Sequence, residues 1–273
     1  MSKNFLVRNF LKAGGSFFAS ASIAIGTLCP LVLTSSRVFA DSTYTNDIPT
    51  DAATKLQTLT NQSIDPKTIA FTPNGGYVIL YGKNDYSAKN LPQDAMDRLS
   101  TLKNQGSSIN TIAFTPTGEW IIIYSSTSAY WSANFPQDVI AKIRIINKQI
   151  SRIVNVAFTP NGEWVIIYGA SSFFKSDNFP QSAYDELLAI NKQYYSIHNI
   201  AFTPDGGWVI IYGLGQMASW NKIPNLLIDK IKTARKANYR LINIAFTPKN
   251  GWTLLYGYYD DVSWVTNERL ERL

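Results

Sequence analysis

One phrase occurs five times in this chain and limits what it can fold into. Ile-Ala-Phe-Thr-Pro begins at Ile69, Ile112, Ile200 and Ile244, and Val-Ala-Phe-Thr-Pro at Val156. Each copy continues through a Gly-containing turn into an aromatic-led apolar run, such as Trp120 to Tyr124 or Trp164 to Tyr168; in the first copy Tyr77 stands in place of Trp. The phrase phenylalanines, Phe71, Phe114, Phe158, Phe202 and Phe246, are spaced by 43, 44, 44 and 44 residues. A constant period of this size marks a repeat architecture, whose unit cannot cover its apolar surface alone and stacks on its neighbours. The phrases with their second runs span 69–82, 112–125, 156–169, 200–213 and 244–257.

The first forty residues read differently. Lys3, Arg8 and Lys12 form a basic start, Ala13 to Leu33 is uncharged and mostly apolar or small, and Val38-Phe39-Ala40 has the small and β-branched residues of a cleavage site. This is the layout of a secretory signal peptide cut after Ala40, which leaves 41–273 as one repeat domain and places the protein outside the cytoplasm: secreted, periplasmic or on the cell surface. An uncleaved anchor is the alternative, which Gly14-Gly15 and Pro30 disfavour as a spanning helix. Cys29, preceded by the large Leu28, is a poor lipid-attachment site. The whole chain holds 25 Lys+Arg against 19 Asp+Glu, a net +6, but four of those bases and none of the acids lie in the leader. The repeat domain carries +2, so the overall balance gives no reason to expect nucleic acid as a partner. It also contains no Cys, so no disulfide is needed or available.

Within one unit the pattern switches period. A segment opening with an apolar residue and Pro (Ile48-Pro49, Leu91-Pro92, Phe135-Pro136, Phe179-Pro180, Ile223-Pro224) precedes each phrase. Val139, Ile140, Ile143 and Ile146 recur at helical spacing, with Pro expected at the first helical position. The phrase reads as two strands, each apolar on both faces and hence covered on both sides, joined by a Thr-Pro-x-Gly turn. The next segment, with aromatics at Tyr86, Tyr130-Trp131, Phe173-Phe174, Trp220 and Trp264, reads as a third strand or an ordered loop. The fold class expected is an α+β repeat of five αββ(β) units, closed into a five-bladed propeller-like ring, with an open α/β solenoid as the alternative. A sixth helical beginning is expected at Thr266 to Leu273.

The Phe-Thr-Pro-x-Gly-x-Trp phrase followed by an apolar strand resembles the blade signatures of β-propellers. The number of units, with a helix in each, also resembles the five-fold α/β-propeller called the pentein fold. Both resemblances are of layout. The chain lacks the WD dipeptide of WD40 blades and the Cys and His of pentein catalysis, so the resemblance carries no activity with it.

Trp120, Trp164, Trp208 and Trp252 start apolar strands in every unit but the first, which is the place of core packing between units. Asn155, Asn199 and Asn243, with Thr111, sit just before the phrase; if buried they need partners, and a ladder between adjacent units is the simplest. Tyr130, Trp131, Phe173, Phe174, Trp220 and Trp264 fall where connections tend to be exposed, and are the candidate ligand-binding residues; sealing the gap between units is the competing role. Catalysis is poorly supplied. His198 is the single His, and its equivalents are Asn110, Val154 and Ile242. No Ser-His-Asp set, metal-ligand cluster or phosphate loop is legible, and no cofactor or metal is expected. Glu119, Glu163 and Asp205 lie in turns and leave a carboxylate-dependent hydrolase as a rival reading. The function expected is a non-enzymatic scaffold that binds an extracellular polysaccharide, cell-wall component or protein; a structural or interaction protein of the envelope is the other alternative.

Overall fold

The structure, a computed structural model, describes residues 41–44, 47–220 and 222–257. The expected leader, Trp264 and the helical beginning at Thr266 lie outside the described residues. A short strand, β1 (Asp41–Tyr44), precedes five units. Unit one is α1 (Thr50–Asn61), β2 (Pro66–Phe71), β3 (Tyr77–Tyr81) and β4 (Asp85–Lys89). Unit two is α2 (Gln93–Asn104), β5 (Ile109–Phe114), β6 (Trp120–Tyr124) and β7 (Ser128–Trp131). Unit three is α3 (Gln137–Lys148), β8 (Ile153–Phe158), β9 (Trp164–Tyr168) and β10 (Ser172–Lys175). Unit four is α4 (Gln181–Lys192), β11 (Ile197–Phe202), β12 (Trp208–Tyr212) and β13 (Gln216–Trp220). Unit five is α5 (Asn225–Lys236), β14 (Arg240–Phe246) and β15 (Trp252–Gly257). The layout is a propeller-like α+β repeat. Each sheet is an open antiparallel sheet of three strands, and no ladder runs from one sheet into the next among the described residues.

The third segment is thus a strand in units one to four. In unit five that place on β15 is taken by β1 from the other end of the chain, with Asp41 opposite Tyr256 and Tyr44 opposite Thr253. No residue pattern in the sequence marks this pairing.

Each helix is twelve residues long with the same two ends. Proline precedes it as the N-cap and is not, as the sequence pattern predicts, the first helical residue: Pro136 has φ −53° and ψ 123°, and its carbonyl accepts the first helical bond from Ile140 at 3.2 Å. Its missing N–H falls outside the helix and costs nothing there. At the other end all five helices close with the same pair of bonds. In α3, Ile150 N–H donates to Asn147 C=O and Ser151 N–H to Ile146 C=O, the Schellman arrangement. It needs a residue with positive φ, and the five are Ser63, Gly106, Ile150, Tyr194 and Asn238.

The turn of the repeated phrase is fixed by its threonine. Thr72, Thr115, Thr159, Thr203 and Thr247 are buried. Each Oγ1 accepts the N–H of the residue four further on, at 2.7 to 3.1 Å. The Thr N–H donates to that same residue's carbonyl. The hydroxyl thus satisfies a buried donor at the start of the second strand, which accounts for a Thr in all five copies.

The first strand of each unit carries a β-bulge. Ile153 pairs with Tyr168 and Asn155 with Ile167, so Val154 is the extra residue; Lys67, Asn110, His198 and Ile242 hold the same place elsewhere. The first strands also meet one another from unit to unit, and β14 of unit five packs against β2 of unit one. Asn155 Oδ1 accepts the N–H of Ile200 at 3.3 Å, Asn199 that of Ile244 at 3.1 Å, and Asn243 that of Ile69 at 3.2 Å. The expected inter-unit ladder is therefore present, and its third rung joins the last unit to the first. Thr68 and Thr111 hold the equivalent places in units one and two. Backbone bonds reinforce it: Ile153 N–H donates to Ser126 C=O and Ile197 N–H to Ala170 C=O, each to the preceding unit's turn.

The apolar interior is divided among five clusters, each shared by two units. One joins Ile121 and Ile123 of β6 to Val139, Ile143 and Ile146 of α3 and to Trp164 and Ile166 of β9. Another joins Ala245 and Leu255 of unit five to Leu56, Leu59, Ile69 and Tyr77 of unit one. Each fully buried Ile or Leu is worth about 1.5–3 kcal/mol, and almost all of that is realised only when a neighbour is present. The indoles are buried as expected, with Trp120 Nε1 donating to Asp94 at 3.0 Å, Trp164 Nε1 to Asp138 at 2.6 Å and Trp208 Nε1 to Ser182 at 3.1 Å. The phrase phenylalanines, at strand ends, are half-buried; Phe158 and Phe202 lie edge-on to the buried Phe135 and Phe179.

Two predictions follow from this packing. Asn199→Ala leaves the buried N–H of Ile244 without its acceptor and lowers unfolding stability by about 1–3 kcal/mol, read from urea denaturation. Thr253 is fully buried where the other units carry Val or Ile, and its hydroxyl has no partner among the described residues; Thr253→Val raises stability by about 1 kcal/mol in the same assay.

Candidate functional site

The strand register separates the aromatics that the sequence groups together. Tyr130 lies opposite Ile122, Trp131 opposite Ile121, Phe173 opposite Ile167, Phe174 opposite Ile166 and Trp220 opposite Trp208. Only Tyr130 and Phe174 share an equivalent place. Successive strand residues face opposite sides, so Tyr130 packs on the cluster between units one and two and Trp131 on that between units two and three. Phe173 and Phe174 divide in the same way. All four are half-buried. Tyr130 stacks on Tyr124 at 4.8 Å with the Arg98 guanidinium 4.7 Å from its ring, and Phe174 stacks on Tyr168 at 5.2 Å with Lys142 Nζ at 4.9 Å. Phe173 meets Tyr184 edge-on at 6.0 Å.

A second constellation is formed by charge. The repeated seam gives all units the same orientation, so equivalent residues gather at one end or the other. One end carries the helix C-termini, the starts of the first strands and the turns between second and third strands. It holds Lys103, Lys148, Lys192, Arg235 and Lys236 in last helical turns, Lys83 in a turn, and Lys67, Arg152 and Arg240 at the inner strands, against Asp65 and Asp85. Asp85 is engaged by Lys103 at 2.9 Å. The opposite end carries Asp47, Glu119, Glu163 and Asp205 in turns and Asp51, Asp94 and Asp138 at helix starts, against Lys89, Lys175, Lys222 and Lys249. A domain of almost zero net charge is thus polarised.

The innermost basic groups sense one another across units. Arg240 Nη2 stands 3.3 Å from His198 Nε2, which is itself 2.7 Å from the carbonyl oxygen of Gly213. The nitrogen cannot serve both as donor and as acceptor; the shorter contact fits an N–H donated to Gly213, which leaves Arg240 as a neighbouring positive charge. Burial first and then Arg240 lower the His198 pKa to about 4; the hydrogen bond to the Gly213 carbonyl opposes them, and Arg152 adds a smaller lowering. Burial and the Arg152 charge also lower the Lys67 amine. The charge of Arg152 in unit three is thus felt at both Lys67 of unit one and His198 of unit four. Such a group attracts anions and does not hold a metal; among the described residues no three His, Cys or acidic side chains are placed to bind one.

The turn carboxylates are structural where their contacts are visible. Glu119 accepts from the Thr115 and Thr117 hydroxyls, which lower its pKa. Asp205 accepts from Asn250 of the next unit at 3.1 Å. A small cavity of about 240 Å³ lies where Tyr77 replaces the repeated indole, lined by Thr50, Asp51, Tyr77, Lys89 and Asn90. Asp51, which corresponds to the indole acceptors Asp94 and Asp138, is paired there with Lys89.

The basic end lies outside the candidate residues chosen from sequence, because its members are far apart in the chain and overall charge conceals them. Aligning the repeats reveals them: Arg152 and Arg240 hold one position, four residues before the phrase Val or Ile, and Lys67 and His198 the bulge position.

No family model matches the chain, and none of the curated proteins matches it. Among solved structures it is similar to one described as "YCF48 bound to D1 peptide", with 15% identity, 72% of this chain and 65% of that chain covered, and a TM-score of 0.35. The chain thus spans just under two thirds of that protein. The similarity is loose, and the repeat layout stands on its own pairing and packing.

His198 makes stability depend on pH. With its folded pKa at about 4, below the ordinary 6.5, its contribution is complete above pH 6.5 and is lost as pH falls toward 4, where the unfolded chain binds the proton more readily. The full shift corresponds to about 3 kcal/mol, and partial solvent screening leaves about 1–2. His198→Asn, matching Asn110, removes this component; the stability gap between the two proteins, followed by denaturation from pH 7 to pH 4, narrows or reverses on acidification.

Proposed function

We propose that the chain is an exported, non-enzymatic binding scaffold whose five units close into a ring and whose basic end receives an extracellular ligand. Closure is supported by the Asn243–Ile69 bond, by the packing of β14 on β2, by the cluster shared between units five and one, and by β1 completing the fifth sheet. An open solenoid would part those contacts. The observation that carries the functional reading is the segregation of basic side chains at one end of a rigid body, with Arg240 against His198 at its inner strands. A cationic surface on a fixed scaffold recruits and orients an anionic partner.

A second reading rests on the one aromatic place that repeats. Tyr130 and Phe174 are half-buried on adjacent units, each between a stacked Tyr and a cation, and a sugar would reach them by displacing Arg98 and Lys142.

Retention on peptidoglycan, on acidic and neutral polysaccharides and on extracellular protein tests both. The paired change Arg152→Glu and Arg240→Glu abolishes retention if the basic end binds, whereas Tyr130→Ala with Phe174→Ala abolishes it if the strand faces do. Turnover of any polysaccharide by the unaltered protein would remove the non-enzymatic reading.

A further inference from the structure

We infer that the cavity of unit one is a binding site for a free α-amino acid, seated between Asp51 and Lys89. Unit one departs from the repeat at three places, and all three border this cavity. The first is the indole. Trp120, Trp164 and Trp208 fill the equivalent place and donate Nε1 to Asp94, Asp138 and Ser182, whereas unit one has the smaller Tyr77. The second lies across the strand pair. The hydroxyls of Ser132 and Ser176 accept the backbone N–H of Trp120 and Trp164, and Lys89, opposite Tyr77, takes that place. The third is the connection to the next helix. Pro92 follows Tyr77 by 15 residues, where Pro136, Pro180 and Pro224 follow their indoles by 16. The shortened connection packs directly on Gly76, where a Cβ would meet the Lys89 carbonyl oxygen at 2.8 Å. Glu119 and Glu163 hold that place in units two and three. The close approach fixes the backbone that carries Lys89 and Asn90.

The groups left around the cavity define the ligand. Asp51 lacks the indole donor that Asp94 and Asp138 retain, and pairs with Lys89 instead. Both side chains are about half exposed, and an exposed ion pair contributes little to stability and opens readily. Tyr77 is 4% exposed, and its hydroxyl makes no hydrogen bond among the described residues. A buried hydroxyl in that state favours a ligand that brings it a partner. A cation alone is repelled by Lys89, and an anion alone by Asp51. A molecule with an ammonium and a carboxylate on one carbon suits both: its ammonium donates to Asp51, and its carboxylate accepts from Lys89 and from the Tyr77 hydroxyl. The volume of about 240 Å³ lies below the roughly 300–1,000 Å³ of pockets that take larger ligands, so size also selects a small molecule. A sugar suits the site less, because the Tyr77 ring is packed into the cluster shared by units five and one and has no free face for stacking.

Calorimetric titration of the full protein with L-alanine and L-leucine, beside ethylamine, acetate and glucose, is the test. The amino acids bind, ethylamine and acetate bind at least about tenfold more weakly, and glucose does not bind. Two variants locate the site. Lys89→Ser, which copies units two and three, removes the partner of the ligand carboxylate. Tyr77→Trp fills the cavity with the indole of the other units and returns a donor to Asp51. Each lowers alanine affinity at least about tenfold. Lys89→Ser keeps the melting temperature, because the side chain is exposed, so loss of binding there is not loss of fold. Acetate or ethylamine bound as tightly as alanine overturns the assignment, as does glucose bound in place of the amino acids. Alanine affinity unchanged in either variant overturns the site. Absence of amino-acid binding up to about 10 mM overturns the inference as well. Arg152 and Arg240 lie at the other end and are intact in both variants, so the scaffold reading is judged separately by retention on glycans and protein.

Discussion

A backbone N–H at the open edge of each first strand faces the neighbouring unit in a dry environment, and it must find an acceptor there. Asparagine supplies it at three of the seams, across a gap that the bulged strands leave too irregular for a regular ladder. An unpaired buried donor costs about as much as several methylene groups recover. The seam therefore fixes both spacing and orientation between units. Once it is set, the helix of each unit fills the wedge between two sheets, and the five apolar clusters follow. The constant period is the sequence-level trace of this one repeated junction.

The same bulge links architecture to the candidate site. Inserting one residue per first strand re-aims the side chains beside it, and these are the positions where Lys67 and His198 stand, with Arg152 and Arg240 two residues earlier. Because every unit has the same orientation, a substitution at one repeat position always emerges at the same end of the body. Residue choices at these positions and in the last helical turns make one end basic while the total charge stays near zero. The threonine turns, which must be nearly invariant to keep their buried donors satisfied, occupy the other end and leave less freedom there.

Much of this was legible in the chain. Val139, Ile140, Ile143 and Ile146 announce a helix face, the phrase announces its two strands, and Trp120 and its counterparts announce burial, because each rests on local period and on repetition. The role of the asparagines was legible as an expectation, since a polar residue between apolar ones in a doubly covered strand has few places to go. The proline position was off by one residue, a difference of backbone angle that composition does not record. The grouping of Tyr130, Trp131, Phe173, Phe174 and Trp220 reflects proximity to a strand, whereas alternation along that strand sends neighbours to opposite faces. The basic end stayed hidden because it is assembled from all five units, and no local window contains it.

The pairing of β1 with β15 means that the fifth sheet is woven from segments far apart in the chain. Synthesis delivers its pieces at opposite times, so four units can stack as they emerge while the first strand waits for the last. The peptide bonds between units then matter less to the finished body than the order in which sheets are completed. β1 is the tongue of a clasp that fastens the fifth sheet.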